Sequence, residues 1–365
     1  MKIALVAGAR PNFMKIAPII RAIESAQQEG HAISYRLVHT GQHYDQKMSK
    51  TFFEELKIPA PDINLNCGGG SQAEQTASIM VEFEKDLWAN PTDLVVVVGD
   101  VTSTMACAIT AKKERVKVAH VEAGIRSYDL TMPEEINRMV TDSITDYFFT
   151  TSEIANENLR KAGIPDDRIF FVGNVMIDTL LANMDRFRKP DFYDAMGLKK
   201  GKFLVMTLHR PANVDEASQL SAMIREIEEH SGEYPIVFPI HPRTRKVFDQ
   251  LGVDLTNLRV VDPLGYLEFN YLVRFSGGVI TDSGGITEET TVMGIPCITL
   301  RDNTERPETI TVGTNELVGT NPAHIRAYLV KMISGTWKQG GIPEKWDGKA
   351  ADRIIDEILQ LQLHQ

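Results

Sequence analysis

The sequence is short of several things, and each shortage argues against a class of protein. It has three cysteines in 365 residues, Cys67, Cys107 and Cys297, an odd number at no metal-like spacing. No disulfide framework or cysteine-built zinc site is expected, and a reducing compartment fits best. No apolar run approaches the roughly 18 residues of a membrane span. The opening MKIALVAGARPNF reaches strand-like sequence at once, with too short an apolar stretch for a secretory leader, so a cytoplasmic location is expected. Positive charge is also in deficit: 39 Lys and Arg against 49 Asp and Glu leave a net charge of -10. That argues against nucleic acid or an anionic membrane as main partner, although a local group of Arg and Lys can still hold a small anion. GxGxxG, a Walker A lysine loop, paired CxxC and HExxH are all missing, which leaves nicotinamide, ATP hydrolysis and zinc unsupported. Asp100, Glu122 and Glu134 could in principle hold Mg²⁺, but nothing in their spacing selects for it, and no metal is expected.

What is present is an ordinary globular composition, 43% hydrophobic and 24% charged. The length suggests two domains of roughly 170 residues. Continuous apolar runs at 3–7, 35–40, 94–98, 117–121, 148–150 and 169–172 read as strands buried on both faces. Helical stretches at 13–27, 45–56, 103–113, 133–147 and 152–162 alternate with them. After a polar connection at 186–202, a second series has strands at 203–208, 236–240, 259–261 and 278–281, with helices at 216–230 and 266–275. The alternation predicts an α/β protein of two doubly wound Rossmann-like domains facing a central cleft. Their expected bounds are 1–185 and 186–345, with an amphipathic helix within 346–365 packing back on the first domain.

The most informative stretch is VITDSGGITEETTVMGIP at 279–296. A short apolar strand runs into Ser283-Gly284-Gly285, and a helix is expected over 287–293, closed by Gly294 and Pro296. Two glycines before a helix let N–H groups approach an anion closely, and the helix terminus adds unpaired donors. Glu288 and Glu289, one turn in, could take hydroxyls of an attached sugar. A plain strand–turn–helix joint is the alternative. Polar residues follow the other strands with regularity: Arg10, Gln42 and His43, Asp100, Glu122, His209 and His241. Arg10 and Lys15 flank a helix start and could reach a diphosphate. Asp100 is either a helix cap or an acid/base group, whereas at Glu122 Gly124 interrupts and no helix follows immediately. Glu134 and Arg138 are spaced to form a surface ion pair. His209 precedes Arg210-Pro211 in a loop and is a candidate acid/base or a donor to phosphate.

Taken together these segments resemble the non-hydrolysing UDP-N-acetylglucosamine 2-epimerase family. The resemblance rests on GARPNFMKIAP at 8–18, TGQH at 40–43, GDVTST at 99–104 and HVEAGIRS at 120–127. It continues through MPEEINR at 132–138, GN at 173–174, DSGGITEE at 282–289 and RDNTERPE at 301–308. It implies a two-domain glycosyltransferase-B-like fold, a UDP-sugar substrate, no external cofactor and commonly a homodimer. It also implies epimerisation at C2 by elimination of UDP, formation of a 2-acetamidoglucal and re-addition of UDP. By position, Arg10 and Lys15 match ligand-binding residues. Asp100, Glu122 and Glu134 match the acids implicated in proton handling, with Arg138 beside them. His209 matches a histidine near the phosphates, and Ser283, Gly284, Gly285 and Glu289 match the UDP-binding loop. Arg306 matches a downstream basic group and Phe269 a nucleotide-contacting aromatic.

The sequence departs from the common family pattern in three places, one being a longer loop after Gln42-His43 that reads Tyr44-Asp45-Gln46-Lys47-Met48. His-Arg-Arg-Glu-Asn reads His209-Arg210-Pro211-Ala212-Asn213, and the glutamine after Ser-Gly-Gly-Ile is Thr287. Some bacterial members bind a second UDP-GlcNAc as activator, and the residues that would take part here are Gln42, Gln46, Glu135, Arg210 and His241. A hydrolysing 2-epimerase releasing ManNAc and UDP, a metal-independent glycosyltransferase of the same fold and a non-catalytic nucleotide-sugar sensor stand as alternatives.

Overall fold

The structure, a computed structural model, describes residues 1–42, 53–240, 242–249 and 256–361, and the backbone alone at Arg10, Pro211, Ala212, Pro242 and Arg243. His43, Gln46, His241 and most of the helix expected over 45–56 lie outside the described residues; 53–56 is helical. The chain divides into two compact units, Met1–Ala182 with Glu344–Gln365, and Asn183–Pro343.

The first unit holds seven parallel strands: β1 (Lys2–Ala7), β2 (Ser34–His39), β3 (Ile63–Asn64), β4 (Leu94–Val98), β5 (Lys117–Val121), β6 (Tyr147–Thr150) and β7 (Ile169–Phe171). They lie in the order β3-β2-β1-β4-β5-β6-β7. β4 is LVVVV and buried throughout, because helices cover both faces of a parallel sheet and no residue needs to face water. The order reverses between β1 and β4, the place where open sheets of this kind bind ligands beyond the strand carboxyl ends.

The second unit repeats the plan with β8 (Leu204–Thr207), β9 (Ile236–Pro239), β10 (Leu258–Val261), β11 (Gly278–Thr281), β12 (Cys297–Thr299) and β13 (Asn315–Leu317). Their order is β10-β9-β8-β11-β12-β13, so its reversal falls between β8 and β11.

The helix Ala350–Gln360 belongs to the first unit and lies against the helix Arg10–Gln28. It buries Ala351, Ile354, Ile355 and Ile358. Its first N–H groups, of Ala350 and Ala351, donate to the Asp178 carboxylate at 3.1 and 2.7 Å, a cap supplied from a different helix. Burial pushes that carboxyl up to about 6, against the pull of the two N–H donors.

Several boundaries differ from expectation for local reasons. The first helix starts at Arg10 rather than 13, since Pro11 suits a first turn. The helix expected over 133–147 ends at Ile144, because the Asp146 N–H pairs with Val118 O and hands the chain to β6. The helix expected from 287 begins at Gly284, so both glycines form its first turn. The helix Gln72–Ala89 was not anticipated, although Ser71 and Glu74 form a capping box at its start. β12, β13 and the helix Pro322–Ile333 were also missed.

Candidate active site

In the first unit the switch point is held open by buried polar contacts. The Asn12 carboxamide accepts the N–H groups of Gly8 and Ala9 at 3.1 and 3.0 Å and donates to Val98 O at 3.0 Å, tying the ends of β1 and β4 together. Around this turn three carboxylates meet two cations. Lys15 Nζ lies 2.7 Å from Glu122 Oε2, with the lysine side chain 11% exposed. Arg138 donates from Nε and Nη2 to Asp100 Oδ2 at 3.0 and 2.5 Å, and from Nη1 to Glu135 Oε2 at 2.7 Å. Asp100 therefore does not cap the following helix, whose N-cap is Val101. Glu134 is half-buried in the first turn of the helix Pro133–Ile144. The Glu134–Arg138 pair expected from the spacing gives way to Asp100 and Glu135, which reach the guanidinium from a neighbouring loop and from the buried helix face.

Glu122 is buried and sits at φ 71, a left-handed conformation that non-glycine residues seldom adopt. Its N–H and that of Ala123 both bond Phe149 O, at 3.0 and 3.1 Å, which pins the turn. Strain of this kind is tolerated where a side chain must be aimed. Behind it His120 is buried between Asp142 Oδ1 at 2.7 Å (from Nδ1) and Gly99 O at 2.8 Å (from Nε2). Asp142 Oδ2 also accepts the Gly124 N–H and Arg126 Nη1, so one carboxylate braces both the Gly99–Asp100 turn and the loop after Glu122. Burial raises the Asp142 carboxyl, and His120 and Arg126 more than reverse this, leaving it below the usual range.

Glu135 is fully buried and accepts from Ser127 N and Oγ, Tyr128 N and Arg138. These donors outweigh its burial and hold its carboxyl below the usual range. The carboxylate staples the loop at 127–128 to Arg138. Gln42 likewise turns inward, its Oε1 accepting from Ser103 N and Oγ at 3.1 and 2.7 Å.

The second unit builds another kind of site. Ser283 N-caps the helix Gly284–Met293 without a side-chain cap bond, and Ser283, Gly284 and Gly285 are all partly exposed. Gly284 is not at positive φ, and a Cβ there would meet nothing nearer than 3.9 Å, from Arg301 Nη1 and Glu305 Oε2. The fold itself does not require a glycine at this position. The space beside it is open, and a helix N-terminus favours an anion. Cations gather nearby: buried Arg301 is bidentate to Glu305 at 2.8 and 2.9 Å, and Arg210 Nη2 lies 3.6 Å from the same carboxylate.

His209 follows β8, and its Nδ1 lies 2.8 Å from Oδ1 of the fully buried Asp282. Glu289 faces inward, accepting from Tyr266 Oη at 2.9 Å and Asn270 Nδ2 at 3.4 Å. Burial pushes its carboxyl up to about 7 against those donors. Glu288 is buried and paired with Arg306 Nε. Both glutamates are thus engaged with side chains of their own unit. Phe269 is partly buried and packs against the apolar core that contains Leu272 and Val279. Among the described residues no group of three or more His, Cys, Asp or Glu could hold a metal ion. None of their helices is long and apolar enough to cross a membrane.

A family model described as UDP-N-acetylglucosamine 2-epimerase matches residues 25–359. The chain belongs to the UDP-N-acetylglucosamine 2-epimerase family. It is similar to the UDP-N-acetylglucosamine 2-epimerase of Methanocaldococcus jannaschii, 42% identical over 97% of this chain and 98% of that one. At 41% identity over 99% and 100% of the two chains, it is similar to the UDP-2,3-diacetamido-2,3-dideoxy-D-glucuronate 2-epimerase of Pseudomonas aeruginosa. The crystal structure of the M. jannaschii enzyme in complex with UDP-GlcNAc and UDP superposes with a TM-score of 0.87, covering 99% of this chain and 100% of that one at 40% identity. The fold is accordingly the two-domain, glycosyltransferase-B-like α/β fold of this family.

Within that frame, Asn12, His120, Arg126, Asp142, Asn213 and Asp282 are site-building residues that sequence reasoning passed over. Each carries its signal in a motif already singled out, or on the helix next to one. Many of their partners, however, are distant in sequence: Val98 lies 86 residues from Asn12, Asp142 22 from His120 and Asp282 69 from Asn213, as parallel crossovers make contacts non-local.

Proposed function

We propose that the protein is a reversible, non-hydrolysing 2-epimerase that interconverts UDP-N-acetylglucosamine and UDP-N-acetylmannosamine. The observation that carries this reading is the strained, buried Glu122 aimed beside Lys15, with Asp100 held by Arg138 on the adjacent strand end. C2–H of the sugar is not acidic, so its removal must be coupled to departure of UDP. A carboxylate takes the C2 proton as the C1–O bond breaks, giving a 2-acetamidoglucal and UDP. A second carboxylate returns a proton to the other face, and UDP adds back at C1. Asp100, Glu122 and Glu134 supply the carboxylates, Glu122 beside Lys15 and Asp100 beside Arg138. Arg10, His209, Arg306 and the N–H donors at Ser283, Gly284 and Gly285 stabilise charge on the departing diphosphate. Phe269 contacts the nucleotide, and no cofactor is consumed. The active form is a homodimer in the cytoplasm.

Incubation with UDP-GlcNAc in D₂O, followed by NMR, tests this. Deuterium at C2 and a UDP-ManNAc signal without added metal or nicotinamide are expected. Free ManNAc as main product would replace the reading by a hydrolysing epimerase. No C2 exchange would leave a glycosyltransferase or a sensor. The P. aeruginosa relative favours a second substrate, a UDP-2,3-diacetamido-glucuronate, and a parallel assay with that sugar decides between them by kcat/KM.

A further inference from the structure

His209 and Asp282 form a pair whose geometry decides where a proton sits. β8 and β11 are neighbours in register, with Thr207 opposite Thr281, so His209 emerges beside the Ser283–Gly284 turn. Asp282 Oδ2 accepts the backbone N–H groups of His209 and Arg210 at 3.1 and 2.9 Å and Asn213 Nδ2 at 3.1 Å. Oδ1 shares the His209 N–H at 3.2 Å and faces His209 Nδ1 at 2.8 Å. Burial raises the Asp282 carboxyl, but His209, the Arg210 N–H and Asn213 outweigh it and keep it below the usual range. An ionised carboxylate can only accept, so Nδ1 must carry the hydrogen. With a single proton, on Nδ1, the ring offers only a lone pair at Nε2, on its far edge, and the side chain is 53% exposed. The other charged groups at the pair are Arg210, whose Nε donates to Asp282 O at 3.1 Å, and Glu305, which faces Arg210.

A bare Nε2 lone pair repels a phosphate oxygen, whereas an imidazolium held between Asp282 and a diphosphate is favoured by both. We propose that Asp282 is a positioning residue that keeps the His209 proton on Nδ1, so that binding of a nucleoside diphosphate draws a second proton from solvent onto Nε2. The inference rests on the reading that the protein binds a UDP-sugar. It makes His209 a charged donor to the leaving diphosphate only when that diphosphate is present. The proton taken up on binding is returned to solvent when the nucleotide leaves.

The test uses the full chain and UDP at about pH 8, where the secondary phosphate of UDP is already ionised. Calorimetry in two buffers of different ionisation enthalpy is expected to show proton uptake by the wild type and none by His209→Gln. In Asp282→Asn the amide oxygen can keep the three Oδ2 donors while its N–H faces Nδ1, which moves the ring proton to Nε2. Ring ¹⁵N NMR of that variant, free of ligand, should show the exchange of tautomer; its proton uptake should shrink, and turnover should fall roughly 10- to 100-fold. Adding Asp282→Asn to His209→Gln should cost little more, because the two act as one unit. Equal proton uptake in wild type and His209→Gln, an unchanged tautomer in Asp282→Asn, or fully multiplicative losses would each overturn the proposal. The tautomer measurement needs neither ligand nor turnover, so its failure is separable from a failure of C2 exchange in D₂O.

Discussion

At the carboxyl end of its sheet the first unit presents charged side chains in pairs, whereas the second presents the first turn of a helix. Strand order is shared, so the contrast lies in the loops. In the first unit Glu122 meets Lys15 and Asp100 meets Arg138, and the braces Glu135 and Asp142 are held below the usual carboxylate range. In the second unit Glu289 and Glu308 are buried and pushed up. Two glycines show the same contrast. A Cβ at Gly8, after β1, would come within 1.9 Å of Ser103 Oγ, so Gly8 serves packing. Gly284, after β11, has open space. The first unit pairs its charged side chains with one another, and the second leaves the first turn of a helix uncrowded.

The hardest blow to that contrast would be a Glu122→Gln enzyme that still turns over. The expected outcome is a loss of about 10²- to 10⁴-fold in kcat with UDP affinity within a few-fold, read from steady-state kinetics and UDP titration. Next in size is Arg138→Met. It takes the guanidinium away from Asp100 and from the buried Glu135, and should destabilise the first unit by about 3 kcal/mol in urea unfolding, because a buried ion pair loses one partner.

The two glycines sharpen the comparison further. Gly8→Ala should cost about 1–3 kcal/mol through overpacking. Gly284→Ala should leave stability unchanged or raise it by about 0.5–1 kcal/mol, since alanine suits a helix. Its UDP affinity should nevertheless fall by about tenfold or more, equivalent to ~1.4 kcal/mol. Thermal melts and UDP titration of the two variants side by side check both halves.

The smallest effect concerns Glu289. Its carboxyl is pushed up to about 7 in the folded protein, above its ordinary value, so folding favours the protonated form. Its stabilising contribution is present at lower pH and is lost as pH rises through about 7. Stability should fall by about 1 kcal/mol from this group between about pH 6 and about pH 8. Glu289→Gln should flatten that slope in melts across the same range.

The fold class was legible because parallel strands buried on both faces must be continuous apolar runs, as at Leu94–Val98, and those runs alternate with helices. The strand β13 escaped notice because Asn315-Glu316-Leu317 is no apolar run, and β12 because Cys297–Thr299 directly follows the helix-closing Gly294 and Pro296. At the site, sequence placed Asp100, Glu122, His209 and Ser283 just past strand ends, since the polar residue that interrupts an apolar run is visible in one dimension. It misread Arg138, whose spacing from Glu134 suggested a pair that the fold replaces with Asp100 and Glu135.

Sequence alone determined the doubly wound architecture and the family, because hydrophobic period and motif order are local properties of the chain. Tertiary structure alone decided which acid faces which base: Lys15 with Glu122 across 107 residues, and Asp282 with His209 across 73. The physical reason is that a charge takes its partner and its protonation from neighbours in space, and parallel crossovers bring those neighbours from distant parts of the chain.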